Sequence, residues 1–170
     1  VNWKATAKCN RLMVNSYTEE RSQPVYCVID KGRTMQAPFR GMTTLDYAIN
    51  ATLALANIIL KKGDKAGLLT FSDKAGALIK ADNRRLQLNS ISEALYSQQT
   101  YYLESDFEQL CITASRRIHN RSLLILFTNF DTVNGMKRRL PALKRLTDNH
   151  LLLIVLFENT EINRVVTEPA

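Results

Sequence analysis

The chain has 170 residues, of which 45% are hydrophobic and 23% charged, with only 6 Gly and 4 Pro. That is enough apolar material for one domain with its own core, and it excludes collagen-like, low-complexity and disulfide-miniprotein classes. Cys9, Cys27 and Cys111 are too scattered for a metal or disulfide framework, and their odd number points to a reducing compartment. The net charge is +7, and eight Lys/Arg against one Asp fall within residues 116–147. They are Arg116, Arg117, Arg121, Lys137, Arg138, Arg139, Lys144 and Arg145. Such a segment can attract nucleic acid, acidic lipid headgroups or an acidic protein, yet no nucleic-acid motif accompanies it. Solvated faces of helices flanking a buried strand are the preferred account of it.

In chain order, residues 1–24 are polar and poorly periodic, an arm leading into a domain over 25–160. Residues 161–170 read as the tail of a truncated fragment, as does a start at Val1 without a signal-like segment. Val25–Ile29 is a central strand that ends in Asp30. A loop over 31–42 follows. Thr43 and Asp46 open a helix as a capping box, and Lys61-Lys62-Gly63 closes it near Lys62. Tyr47–Leu60 is uncharged over 14 residues, too short and too polar to span a bilayer, and reads as a buried core helix. Lys65–Phe71 is a second strand and Ala77–Ile79 a short return strand. Asp82 or Asn83 is placed to cap a helix over roughly 84–96. Gln98–Glu104 is a loop. Ser105-Asp106-Phe107-Glu108 reads as a capping box opening a helix to about His119. Leu123–Phe127 is an unbroken apolar strand, and a helix over roughly 135–148 carries Pro141 in or near its first turns. Leu151–Phe157 is a last apolar strand, followed by Glu158-Asn159.

Apolar strands without alternation are buried on both faces, and strands alternating with helices lie in a parallel sheet. The fold class is therefore α/β: a doubly wound, mostly parallel sheet with helices on both faces. Ligands of such sheets bind beyond the carboxyl ends of the strands. Those ends carry Asp30, Ser72-Asp73, Thr128-Asn129 and Glu158-Asn159, and the loops add Gly32, Thr34, Thr100 and Ser105. This oxygen-rich rim without His or Cys suits Mg²⁺ and not zinc. No phosphate-cradling glycine loop and no nucleophile elbow is present. His119 and His150 precede strands and so belong to the opposite end of the sheet, as helix-end or surface histidines. The cysteines read as core or half-exposed thiols.

Asp30-Lys31-Gly32-Arg33-Thr34-Met35 resembles the first strand and metal loop of a von Willebrand factor type A domain, whose pattern there is D-x-S-x-S. Leu45-Asp46-Tyr47-Ala48 resembles the opening of its next helix, and Lys65–Asp73 its second strand. Asn2–Lys8 with Leu12-Met13-Val14, Leu123–Phe127 and Leu151–Asn159 are similar to the domain of unknown function 58 family. The resemblance covers nearly the whole chain. It implies a bacterial, membrane-associated protein whose membrane segments lie outside this sequence. It also implies a non-enzymatic adaptor that binds a protein, with a MoxR-type AAA+ ATPase as the expected partner and the domain on the cytoplasmic side.

Carried over residue by residue, the family's metal site falls on Asp30, Thr34, Thr100 and Asn129. Gly32 takes the place of the first serine and Asn129 that of an aspartate, so one hydroxyl and one charge are lost and the Mg²⁺ site is degenerate. Asp131 stands close enough in sequence to compensate. Two rival readings remain: an anionic-surface or nucleic-acid binder using 116–147, and a metal-dependent hydrolase with Asp30, Asp73 or Asp106 as base. The hydrolase is the weakest of the three, and nucleic acid is not the expected partner.

Overall fold

The computed structural model describes residues 22–96, 98 and 101–158. The arm before residue 22, the tail from 159 onward, Cys9, Thr100 and Asn159 lie outside the described residues. Strand β1 (Pro24–Asp30) leads through a 3₁₀ turn (Arg33–Gln36) to a small hairpin of β2 (Pro38–Phe39) and β3 (Met42–Thr43). Helix α1 (Thr44–Lys61), β4 (Lys65–Phe71), β5 (Ala75–Asp82) and α2 (Gln87–Tyr96) follow. The second half holds α3 (Phe107–Arg117), β6 (Leu123–Phe127), α4 (Val133–Asn149) and β7 (Leu151–Val155). The main sheet has five strands in the order β5-β4-β1-β6-β7. Only β5 runs antiparallel, against β4; the other pairings are parallel.

Side chains alternate across β1 because a strand has a two-residue repeat. Tyr26 and Val28 join Leu124 and Leu126 of β6 under α3 and α4. Val25, Cys27 and Ile29 join Leu68, Ile91 and Ile125 under α1 and α2. Both faces are thus covered, as a near-continuous apolar strand demands. Gly67 lets this packing close. A Cβ there would lie 2.5 Å from the Tyr26 ring. Without it, the ring lies over β4 and its hydroxyl accepts the Ala81 amide at 3.1 Å. That amide sits where the β4–β5 register shifts.

The Thr43–Asp46 capping box forms in both directions. Gly63 ends α1 at φ +83°. Other expectations need correction. Helix α1 is not a wholly buried core helix: its buried residues are Thr44, Leu45, Ala48, Thr52 and Ala56, and Ile58 is 50% exposed. An amphipathic helix needs only one face against the sheet. The return strand is longer than Ala77–Ile79. Asp82 does not cap α2; it binds the Asn83 amide and the Arg84 guanidinium instead. Helix α4 starts at Val133, so Pro141 sits in its interior and not in its first turns. The last strand stops at Val155, lies at the sheet edge and is not buried: Leu151 is 62% and Leu153 50% exposed. Apolar composition alone does not distinguish an edge from a centre strand. Among the described residues no helix is long and apolar enough to cross a membrane.

Candidate functional site: the rim at the strand ends

The parallel register brings the C-terminal ends of β1, β4 and β6 to one edge of the sheet, and backbone bonds stitch the loops there. Lys31 N donates to Phe71 O at 2.8 Å, Arg33 N to Leu103 O at 3.0 Å and Asp106 N to Ser72 O at 2.8 Å. At the centre lies Asp30, 1% exposed. Its Oδ1 accepts from the Gly32 amide at 2.8 Å and from the Ser105 hydroxyl in a short bond. Its Oδ2 accepts from the Thr128 hydroxyl at 2.6 Å. Burial pushes the Asp30 carboxyl above its ordinary range, and these three donors with the nearby Arg139 guanidinium pull it back only in part.

Gly32 explains why Ser105 is at this site. A Cβ at position 32 would lie 1.8 Å from Ser105 Oγ and 3.0 Å from Leu103 O. The Ser105 hydroxyl therefore stands in the space a side chain at 32 would occupy. The hydroxyl missing from the D-x-S-x-S pattern is supplied from a distant loop. This corrects the expected Ser105 capping box: Asp106 is the N-cap of α3 and accepts from the Glu108 and Gln109 amides. With two successive residues able to cap, one was free to serve the site. Sequence reasoning also singled out Asn129 where its neighbour Thr128, fully buried, is the residue that meets Asp30.

Of the four residues carried over as metal ligands, Asp30 ends β1 and takes its hydrogen bonds from Gly32, Ser105 and Thr128, with Thr34 not among its partners in the described residues. Thr34 is half-buried in the 3₁₀ turn. Asn129 turns to the backbone of Phe157, donating to its carbonyl at 3.1 Å and accepting its amide at 3.2 Å. That ties the end of β6 to the chain beyond β7. Thr100 lies outside the described residues. Asp131 pairs with Arg33 at 2.9 Å. Among the described residues no group of three or more His, Cys, Asp or Glu is placed to hold a metal ion. A divalent cation is held mainly by carboxylate charge. The one buried carboxylate among the described residues has both oxygens engaged by protein donors, so the described donor set does not fit Mg²⁺ as it stands.

The rim does hold a fixed positive charge. The Arg139 guanidinium carbon lies 5.2 Å from the Phe107 ring centroid and 5.9 Å from that of Phe130, two stacked rings. Its ion-pair partner is Glu104 at 3.2 Å, with side-chain exposures of 20% for Arg139 and 87% for Glu104. Arg139 lines a cleft of about 410 Å³ together with Arg33, Arg138 and Thr132. Lys31, next to Asp30 in the chain, is half-buried, donates to Gln98 Oε1 at 2.7 Å, and is held below the usual lysine range by burial, with Asp73 opposing.

A family profile described as "Protein of unknown function DUF58" matches residues 1–163. The chain belongs to that family. No curated protein matches it. Among solved structures it is similar to an aerotolerance-related membrane protein from Bacteroides fragilis NCTC 9343 carrying multiple mutations to serines. That likeness has 13% identity and a TM-score of 0.58, over 78% of this chain and 66% of that one. It is also similar to the conserved hypothetical protein BatB from Bacteroides thetaiotaomicron, at 15% identity and a TM-score of 0.57, over 78% and 65% of the two chains. The matched region spans just under two thirds of those chains. At these identities the likeness is one of fold: an α/β, mostly parallel five-stranded sheet with helices.

Proposed function

We propose that this domain is a non-enzymatic interaction module that receives a protein partner on its rim loops without a bound metal, Arg139 offering the positive charge. The observation that carries this reading is Arg139 itself. The guanidinium is held on two aromatic faces, and its counter-ion is an exposed glutamate. A pair with one partner this exposed is weakened by solvent screening and contributes on the order of 1 kcal/mol, so a partner carboxylate can take the place of Glu104. A pre-positioned guanidinium loses little freedom on forming a bidentate bond. Catalysis finds less support. Both described histidines lie at the opposite end, Ser105 and Thr128 donate to Asp30, and burial pushes the Cys27 thiol up to about 12, leaving it unreactive.

The family resemblance makes a MoxR-type AAA+ ATPase the first partner to assay and supports membrane association through segments outside this sequence, with the domain on the cytoplasmic side. The test is co-elution and titration of the purified domain with such an ATPase from the same source, beside pull-downs identified by mass spectrometry. Arg139→Gln is expected to lose the captured partner, and Lys137→Gln, which removes the same charge away from the cleft, to keep it. Equal capture by the Arg139→Gln and wild-type proteins would sink the rim as the docking surface.

A further inference from the structure

The sequence places its basic excess in one stretch, but the fold divides it between the two ends of the sheet and completes one part with lysines from elsewhere. At the end opposite the rim, the starts of β1, β4 and β6 and the finish of the antiparallel β5 come together, with Pro24 beside Lys65 and Val25 beside Leu123 in register. A cleft of about 580 Å³ opens there, lined by Lys65, Lys80, Arg117 and Arg121, with His119 and Asn120 at its wall. No Asp or Glu is among its described lining residues. None of the four cations takes part in an ion pair among the described residues. Each of the other two rim-side clefts that carry arginines is lined by carboxylates as well.

Helix ends favour basic residues, which accounts for Arg117 in the last turn of α3. It does not account for Lys65, Lys80 or Arg121, which come from a strand start, a strand finish and a loop. Four cations drawn from four elements repel one another when left uncompensated. Their convergence on one concave site is the arrangement that an anion with several acceptor oxygens neutralises.

We propose that this cleft is a phosphate-binding site, using Lys65, Lys80, Arg117 and Arg121 to hold a phosphate group of a soluble compound or of a lipid headgroup. A nucleic-acid strand fits less well. The cations converge instead of forming a track, and the one tyrosine in the lining, Tyr26, is buried against Gly67, which leaves His119 as a single small ring for stacking.

The experiment is an NMR titration of the domain with inorganic phosphate at low ionic strength. It is run beside sedimentation with phosphatidylcholine vesicles, with and without phosphatidylglycerol, and a duplex-DNA competition. Phosphate is expected to move the amides of residues 117–122 and 65, with affinity falling as salt rises. Arg117→Gln/Arg121→Gln is expected to weaken binding about tenfold or more, and Lys65→Gln by less. Lys137→Gln, a loss of one charge at the other end that matches Lys65→Gln, is expected to leave it within about twofold. These surface substitutions are not expected to disturb folding. Phosphate shifts with no vesicle binding assign the site to a soluble compound, and vesicle binding lost in the same double variant assigns it to a headgroup. Three results overturn the proposal: no shifts together with no vesicle binding, equal weakening by Lys137→Gln, or DNA binding that outcompetes phosphate and maps along α3 and α4. Since this cleft lies away from Arg139, its failure would leave the rim reading standing, and the reverse.

Discussion

The two ends of the sheet treat charge in opposite ways. At the C-terminal end a single buried carboxylate, Asp30, is enclosed by the Gly32 amide and the Ser105 and Thr128 hydroxyls. Even its nearby guanidinium is held on aromatic rings. At the N-terminal end four cations line an open cleft, and among the described residues it has no carboxylate in its lining and His150, 5% exposed, has no hydrogen-bond partner for Nδ1. Polar groups that satisfy one another hold the fold together, whereas those left unmatched mark where an outside group can act. The rim is thus pre-organised around its own charge, and the far end is not.

The sharpest way to break this contrast is at Asp30. Asp30→Ala leaves the buried Thr128 hydroxyl, the half-buried Ser105 hydroxyl and the Gly32 amide facing a void. Leaving buried donors unpaired costs about 1–3 kcal/mol each, so a loss of about 3 kcal/mol is expected in urea unfolding, with partial re-pairing among the survivors. Asp30→Asn keeps the shape and two of the acceptor contacts, and it removes the burial cost of a charge. Its expected loss is below about 1 kcal/mol. Equal losses for the two variants would mean that what both lack, the charge and the acceptor for Thr128, organises the rim, and not shape.

A second test exchanges the position of one hydroxyl. Gly32→Ser drives a side chain into Ser105 Oγ and against the Leu103 carbonyl, and a loss of about 2 kcal/mol is expected. Ser105→Gly removes a donor from Asp30 and is expected to cost about 1–2 kcal/mol. If Ser105 replaces what position 32 lacks, the double variant recovers at least about 1 kcal/mol relative to the sum. Strict additivity would show that the two positions do not share one space.

The far end yields a smaller effect. Burial holds the His150 imidazole below its ordinary pKa. The folded state therefore binds a proton less readily than the unfolded chain. Stability is full above the unfolded pKa and falls as the pH drops through it toward the lowered folded value. A modest decline in unfolding midpoint between neutral pH and about pH 5 is expected to flatten in His150→Gln. A profile unchanged by that substitution would place the acid sensitivity elsewhere.

Much of this architecture is legible in the sequence, because the features that encode it are local. The apolar run before Asp30, the Thr43–Asp46 box and the Gly63 stop each depend on neighbours a few residues away. The sheet edge is not local: Leu151–Phe157 reads like Leu123–Phe127, and only the strand order leaves β7 exposed. The short β2–β3 hairpin was also missed. Its signal is the Arg40-Gly41 pair, both at positive φ, between two apolar residues. At the rim, Asp30 is readable from its place at a strand end. Ser105 is not, because its role follows from an empty space at Gly32 that only the packed loops define. The basic segment misleads for the same reason, since α3 and α4 carry its members to different ends.

The smallest expected effect concerns the cation that the family pattern implies. A ligand at about 100 times its dissociation constant stabilises by about 2.7 kcal/mol, which for a chain of this size raises the unfolding midpoint by roughly 5–10 °C. For the wild-type rim a difference below about 1 °C between EDTA and excess Mg²⁺ is expected, because a cation would have to strip Asp30 of its donors without a second charge to compensate. Asn129 offers none, and its amide is committed to both backbone groups of Phe157. Asp131 is paired with Arg33. Adding Asn129→Asp to the Gly32→Ser/Ser105→Gly protein restores a charge and the patterned hydroxyl together. Any Mg²⁺-dependent rise should first emerge there, lost again on Asp30→Asn. A rise of several degrees in the wild-type protein, lost in Asp30→Asn, would instead mean that the rim reorganises to take a metal. Arg139 would then no longer be the charge a partner meets first.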